Sequence, residues 1–341
     1  VRDAPKCDLS ANEGVFVLEN CHLHDLSVNF CQQGVLVGHP AFREGVFNPL
    51  CGALFPYAID NIEISSSIIS GISDGSGIEL YGCTGRLIGN TINDINGVGV
   101  LLGTESTILM ERSEVSNTSQ YGVLGVDGGN FEFNNNLFNN NGAVGMGALW
   151  IKFFTPVGSP LSNSLSFINN TVINSGSHHL TIENSHLAST SCFIQNNIFC
   201  DPEVVVLEDE SEYAPHLSFD PSALFNVDNN IYSETVYDQF FVNADLNNFQ
   251  LTHKSPAVNS GLETESENDL VNQIRNLAGS TDIGAYEYVP GSLAYFDQIP
   301  LVGLYVDDFK NILGNPVAET DLLEFAVTNG FNYLLLYNLS Y

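Results

Sequence analysis

Between residues 57 and 235 short apolar and polar positions alternate in one recurring phrase. Each copy has a glycine, an apolar pair straddling one residue, a polar stretch, then asparagines followed by alternating apolar residues. Gly77-Ile78-Glu79-Leu80, Gly99-Val100-Leu101-Leu102, Gly122-Val123-Leu124, Gly147-Ala148-Leu149-Trp150 and His179-Leu180-Thr181-Ile182 form one series, with starts 22, 23, 25 and 32 residues apart. A second series runs through Asn90-Thr91-Ile92, Asn135-Asn136-Leu137-Phe138, Asn169-Asn170-Thr171-Val172, Asn196-Asn197-Ile198-Phe199 and Asn229-Asn230-Ile231-Tyr232. Each piece is too short for a helix and alternates with period two, so each reads as a short strand. A spacing in the low twenties built from strands and Gly/Asn turns predicts a solenoid of stacked coils. The dense leucine consensus of leucine-rich repeats is absent. The fold class expected is therefore all-β, a right-handed parallel β-helix over residues 1–240, with asparagines stacked at one corner because they tolerate left-handed backbone.

In this alignment Ile78, Val100, Val123, Ala148 and Leu180 point inward, and Glu79, Leu101, Leu124, Leu149 and Thr181 form an outward row. The next outward row is Tyr81, Gly103, Val126, Ile151 and Glu183. That face is apolar for three coils, which marks a covered or binding surface. The insert from Phe153 to Asn163 is the expected cover, and Glu79, Tyr81, Lys152 and Glu183 are the expected ligand-binding rim.

After about residue 240 the pattern changes. Asn248-Phe249-Gln250-Leu251, Ser255-Pro256-Ala257-Val258-Asn259-Ser260-Gly261, Arg275 and Asp282-Ile283-Gly284-Ala285-Tyr286-Glu287 resemble the C-terminal end of secreted bacterial β-helix proteins of the choice-of-anchor Q family. One departure is Asn259, where that family has Asp. The resemblance implies a β-helix exported to the cell surface or medium, and no particular reaction. Residues 241–290 are expected to form a C-terminal cap covering the open end of the helix. Residues 291–341 read as the start of a truncated α/β domain: a strand over 301–307, a capped helix over 320–327 and a strand over 331–337. Asp307 and Asp308 follow its first strand, the position at which a barrel would carry catalytic groups, although residues there more often cap the following turn. Both ends of the chain read as cut.

Charge narrows the partners. Nine Lys plus Arg stand against forty acidic residues, giving −31 at pH 7. Such a field repels nucleic acid and anionic membranes and suits neutral ligands or cations. No apolar run is long enough to span a membrane. The expected partner of a monomeric, extracellular protein is thus a polysaccharide or cell-surface glycan, and the expected ion is Ca²⁺, with Glu208, Asp209, Glu210 and Asp282 as candidate ligands. Two other readings stay open. A polysaccharide lyase acting on a uronate glycan with Ca²⁺ would need a base or charge neutraliser, for which Lys152 and Arg112 are the candidates. A structural stalk or adhesin would need neither.

Smaller patterns carry less. Gly97-Val98-Gly99-Val100-Leu101-Leu102-Gly103 lacks the spacing and the helix of a dinucleotide loop. His22 and His24 share one face of a strand, as metal ligands could, although such pairs are more often polar surface. His178 and His179 cannot point the same way. Among the seven cysteines, Cys192 with Cys200 and Cys21 with Cys31 are the closest pairs for disulfides.

Overall fold

A computed structural model describes residues 16–17, 22–29, 31, 34–37, 59–103, 106–126, 128–142, 146–153, 163–176, 178–184, 190–200, 217–219, 224–233, 240–275 and 280–288. The chain divides into two compact units, Val1–Val289 and Pro290–Tyr341. The expected α/β elements, Asp307 and Asp308 lie outside the described residues, as do Glu208, Asp209, Glu210 and most of the Phe153–Asn163 insert.

The first unit is a right-handed parallel β-helix, with eight coils among the described residues. Each coil contributes one strand to each of three eight-stranded sheets, and within a sheet every neighbour is parallel. One complete coil runs Ile78–Tyr81 in the first sheet, Cys83–Ile88 in the second and Thr91–Ile95 in the third. Alternation sends Ile78, Leu80, Leu87 and Ile92 inward, and the left-handed backbone at Asp94 turns Ile95 inward as well; all are buried. The core changes character along the axis. Aliphatic residues fill the early coils, while Phe133, Phe167, Phe199 and Tyr232 follow one another in the later ones with centroids 5.9, 6.1 and 5.5 Å apart, the first pair tilted and the other two stacked.

The second and third sheets meet at a corner made by two ladders. Asp25, Ser66, Gly89, Arg112, Asn135, Asn169, Asn196 and Asn229 occupy one stacked position, each with φ between 49° and 62°. That left-handed conformation favours Asn and Gly over residues with stiffer side chains. The following residue in each coil carries the inner ladder: the backbone N–H of Ser67, Ser113, Asn136, Asn170 and Asn197 donates to the side-chain oxygen of Asn90, Asn136, Asn170, Asn197 and Asn230, at 2.8–3.1 Å. Asn90, Asn136, Asn170 and Asn197 do share one turn, as the sequence predicts. Ser113 takes a rung as well, accepting from the Asn90 N–H.

In one respect the register corrects the sequence alignment. Val123 pairs with Leu149, and Leu149 with Leu180, so Ala148 occupies the glycine position and not the first inward one. The coil corner before the first sheet is tight: a Cβ on Gly99 would lie 2.5 Å from the Gly122 carbonyl oxygen and 2.6 Å from Val115 Cγ1. Ala148 is buried there for that reason. A one-residue slip exchanges faces. Leu149 and Ile151 therefore enter the core, and Trp150 and Lys152 take the outward rows.

The described residues of 240–288 also depart from expectation in the surface they cover. They pack along the flank of the third sheet. Leu137, Ile173, Ile198 and Cys200 face outward there and are covered by Phe240, Phe241, Phe249, Leu251, Ala257, Ile283, Ala285 and Tyr286. The strip from 260 to 266 then follows the asparagine corner backwards, coil by coil. Asn229 donates to the Ser260 carbonyl at 2.8 Å and Asn196 to that of Leu262 at 2.8 Å. Asn169 donates to Thr264 Oγ1 at 3.0 Å, and Asn135 to Ser266 Oγ. Arg112 closes the series by donating to Asn272 Oδ1 at 2.7 Å.

The disulfide expectations fail. Cys31 and Cys192 are free thiols; Cys192 faces the core from the second sheet, whereas Cys200 faces outward from the third.

Candidate functional site

On the first sheet the expected rim does not assemble. Glu79 and Tyr81 are both buried, with Tyr81 Oη donating to Glu79 Oε2 at 3.3 Å. Lys152 and Glu183 pair with each other at 3.6 Å in the same outward row as Tyr81, but Lys152 is three coils further along and Glu183 four. At a strand spacing of about 4.8 Å the nearer of the two is roughly 14 Å away. Around the Lys–Glu pair stand Trp150, whose ring Lys152 Nζ overlies at 5.8 Å, and Tyr121, 5.1 Å from Trp150. Burial, reinforced by the Glu183 carboxylate, raises the pKa of the Tyr121 phenol.

The two residues considered for lyase chemistry lie apart. Lys152 is on the first sheet and already neutralised by Glu183. Arg112 is a corner residue between the second and third sheets, 3.5 Å from Glu111 and bonded to Asn272. A lyase needs its base and its carboxylate neutraliser around one sugar. Arg112 and Lys152 cannot serve together.

Asp282 is committed to the backbone. Its Oδ1 accepts from the Asn259 N–H at 2.6 Å and its Oδ2 from the Tyr288 N–H. Arg275, buried beneath it, donates to the Gly284 carbonyl at 2.6 Å, to Asn135 Oδ1 at 2.8 Å and to the Asp282 carbonyl at 3.2 Å, and pairs with Glu287 at 3.4 Å. Asp269 accepts from the N–H groups of Val271, Gln273 and Glu287. Gly284, at φ +95°, sits where a Cβ would lie 2.6 Å from Ile198 Cδ1. The Asp-Ile-Gly-Ala-Tyr-Glu segment is thus a fastening. Asn259, at φ 54°, fills a left-handed turn in it.

Sequence reasoning overlooked the outer face of the second sheet. There a trough of about 440 Å³ crosses successive coils. Two outward rows make its floor: Thr84, Thr107, Asn130 and Ser164, and beside them Glu63, Arg86, Leu109, Glu132 and Ser166. The first row is hydroxyl and amide throughout, while in the second the half-buried Leu109 stands between Arg86 and Glu132. Ser164 Oγ donates to Asn130 Oδ1 at 2.9 Å, and Thr84 Oγ1 to Asp60 Oδ1 at 3.1 Å. Arg86 reaches Glu111 at 3.8 Å, leaving Glu63, its neighbour in the row, to other partners. The signal was legible: these strands carry polar residues at alternate positions over several coils.

The fold agrees with a family comparison. Residues 9–151 fit a family described as right handed beta helix region. A search of curated proteins finds no match. Among the described residues no helix is long and apolar enough to cross a membrane.

Proposed function

We propose that this is a secreted or cell-surface β-helix protein of the choice-of-anchor Q type that binds polysaccharide along the trough of the second sheet. The carrying observation is the composition of that trough. One row of hydroxyls and an amide, Thr84, Thr107, Asn130 and Ser164, repeats at the coil spacing beside Leu109, which lies between Arg86 and Glu132; together they offer hydrogen-bond partners to sugar hydroxyls and an apolar spot to a sugar ring face. The strong negative charge of the chain favours neutral glycans over polyuronates. The fastened segment 255–287 supports the family resemblance, since its motif residues have structural work to do and need no ligand to explain them.

The test is affinity electrophoresis of the full chain in gels containing neutral glucans, mannans and pectate. Leu109→Asp places a charge under the sugar and should weaken retardation at least about tenfold, the equivalent of 1.4 kcal/mol. Trp150→Ala, on the first sheet, should leave it unchanged. Loss with Trp150→Ala but not with Leu109→Asp would move the binding face to the Tyr121–Trp150–Lys152–Glu183 cluster. No retardation by any glycan would leave the stalk reading.

A further inference from the structure

At the first-coil end of the trough the side chains of His22, His24 and Glu63 converge. His22 and His24 lie two residues apart on a strand of the second sheet, so both project outward. The parallel register places Glu63 beside His22 and Ser65 beside His24 on the next coil. His22 Nδ1 is 3.9 Å from Glu63 Oε2, and His24 Nε2 is 3.7 Å from Glu63 Oε1. One donor atom from each of the three falls within 4.8 Å of the others. The two imidazole rings are stacked, 20° from parallel.

We propose that His22, His24 and Glu63 bind one divalent first-row transition-metal ion of the Zn²⁺ type. With metal–ligand bonds near 2.1 Å, tetrahedral donors are about 3.4 Å apart, so the two His–Glu separations of 3.9 and 3.7 Å are a few tenths of an ångström too long, and a set spread over as much as 4.8 Å must draw in by about 1 Å on binding. The histidines are half-exposed and can rotate to do so. Two imidazoles and a carboxylate suit Zn²⁺, Co²⁺ or Ni²⁺ and not Ca²⁺, which takes oxygen ligands. Ser65 supplies the outer partner such a site requires. Its buried hydroxyl meets His24 Nδ1, which orients the ring and leaves Nε2 for the metal, and it also lies 3.4 Å from Glu63 Oε1. Arg86 follows Glu63 in the ladder but pairs with Glu111, so the carboxylate is not neutralised by its nearest cation. Three protein donors leave a fourth position for water or a ligand. Glu63 is also part of the trough floor, so that position opens beside the trough. The metal site does not depend on the glycan reading.

The experiment is calorimetric titration of the full chain with Zn²⁺, in parallel with Co²⁺ and its visible absorption spectrum. One saturable Zn²⁺ per chain is expected, unaffected by millimolar Ca²⁺, with Co²⁺ giving the intense bands of a tetrahedral N/O site. His24→Ala and Glu63→Gln should abolish that component. Ser65→Ala keeps all three ligands and should weaken it roughly tenfold. Circular dichroism and the thermal midpoint of each variant without metal show whether it is folded. The proposal is overturned if no saturable Zn²⁺ site appears, if Ca²⁺ displaces the ion, or if folded His24→Ala and Glu63→Gln proteins bind Zn²⁺ as tightly as the native chain.

Discussion

Replacing Arg275 by methionine should release the flank segment 240–288 from the coils while leaving the coils stacked. The guanidinium is buried and makes hydrogen bonds to Asn135 Oδ1 and to the carbonyls of Gly284 and Asp282, besides its ion pair with Glu287. Asp269 and Asp282 also feel its charge. Breaking a buried pair from one side strands the opposite charge, at a cost of about 3–5 kcal/mol, or roughly 150- to 5,000-fold in the opening equilibrium. Limited proteolysis of the segment, under conditions where opening is fast relative to cleavage, reads that ratio directly. The pH dependence supplies an independent check. Burial raises the pKa of Asp269 and of Asp282 above the ordinary carboxylate value, more than their hydrogen bonds and Arg275 lower it. Between the ordinary and the raised value the folded state therefore holds more protons than the unfolded one. Stability from these groups is present below that window and is lost as pH rises through it. Without Arg275 both carboxylates lose their cation and the window widens upward, so mild acidification should recover more stability in Arg275→Met than in the native chain. Equal protease resistance of the two proteins at pH 7, or a deficit that does not shrink on acidification, would refute this account.

Three further outcomes follow from the coils. Asn170→Ala removes a rung that accepts from the Asn136 N–H and donates to the Phe133 carbonyl, and should lower unfolding free energy by about 1–3 kcal/mol in urea titration; Asn170→Ser should cost less, since Ser113 already fills a rung. Phe167→Ala opens a cavity between Phe133, Phe138 and Phe199 and should cost about 3–5 kcal/mol in the same assay. Burial pushes the Cys83 and Cys192 thiols up to about 12, so iodoacetamide at pH 8 should leave both unmodified in the native chain, by mass spectrometry, and label both in urea.

The stacking was legible because its two carriers, the glycine before each first-sheet strand and the paired asparagines at the corner, are side-chain choices forced by backbone geometry. The slip at Gly147-Ala148-Leu149-Trp150 was not, because two small residues there compete for one tight position and only the hydrogen-bonded register decides between them. The flank segment was misplaced for a related reason. An open end and an apolar flank demand the same kind of cover. The flank had only a partial signal of its own: the first outward residue after the corner is Leu137, Thr171 and Ile198 in the covered coils, against Thr91 and Glu114 in earlier ones. Glu79, Tyr81, Lys152 and Glu183 were grouped by row, which fixes the face but not the distance along the axis. The spacing of His22 and His24 showed two members of the cluster on one face, but Glu63 joins them through a contact between coils, forty-one residues from His22, which local spacing does not reveal.

The strip along the asparagine corner counts coils. Ser260, Leu262, Thr264 and Ser266 meet Asn229, Asn196, Asn169 and Asn135 in turn, two strip residues to each coil, regardless of how many residues that coil contains. Loops between strands can therefore lengthen without disturbing the match, whereas gaining or losing a whole coil in this stretch puts the strip out of step unless it changes by two residues as well. The number of coils is written twice in the chain, once in the repeats and once in the segment that follows them.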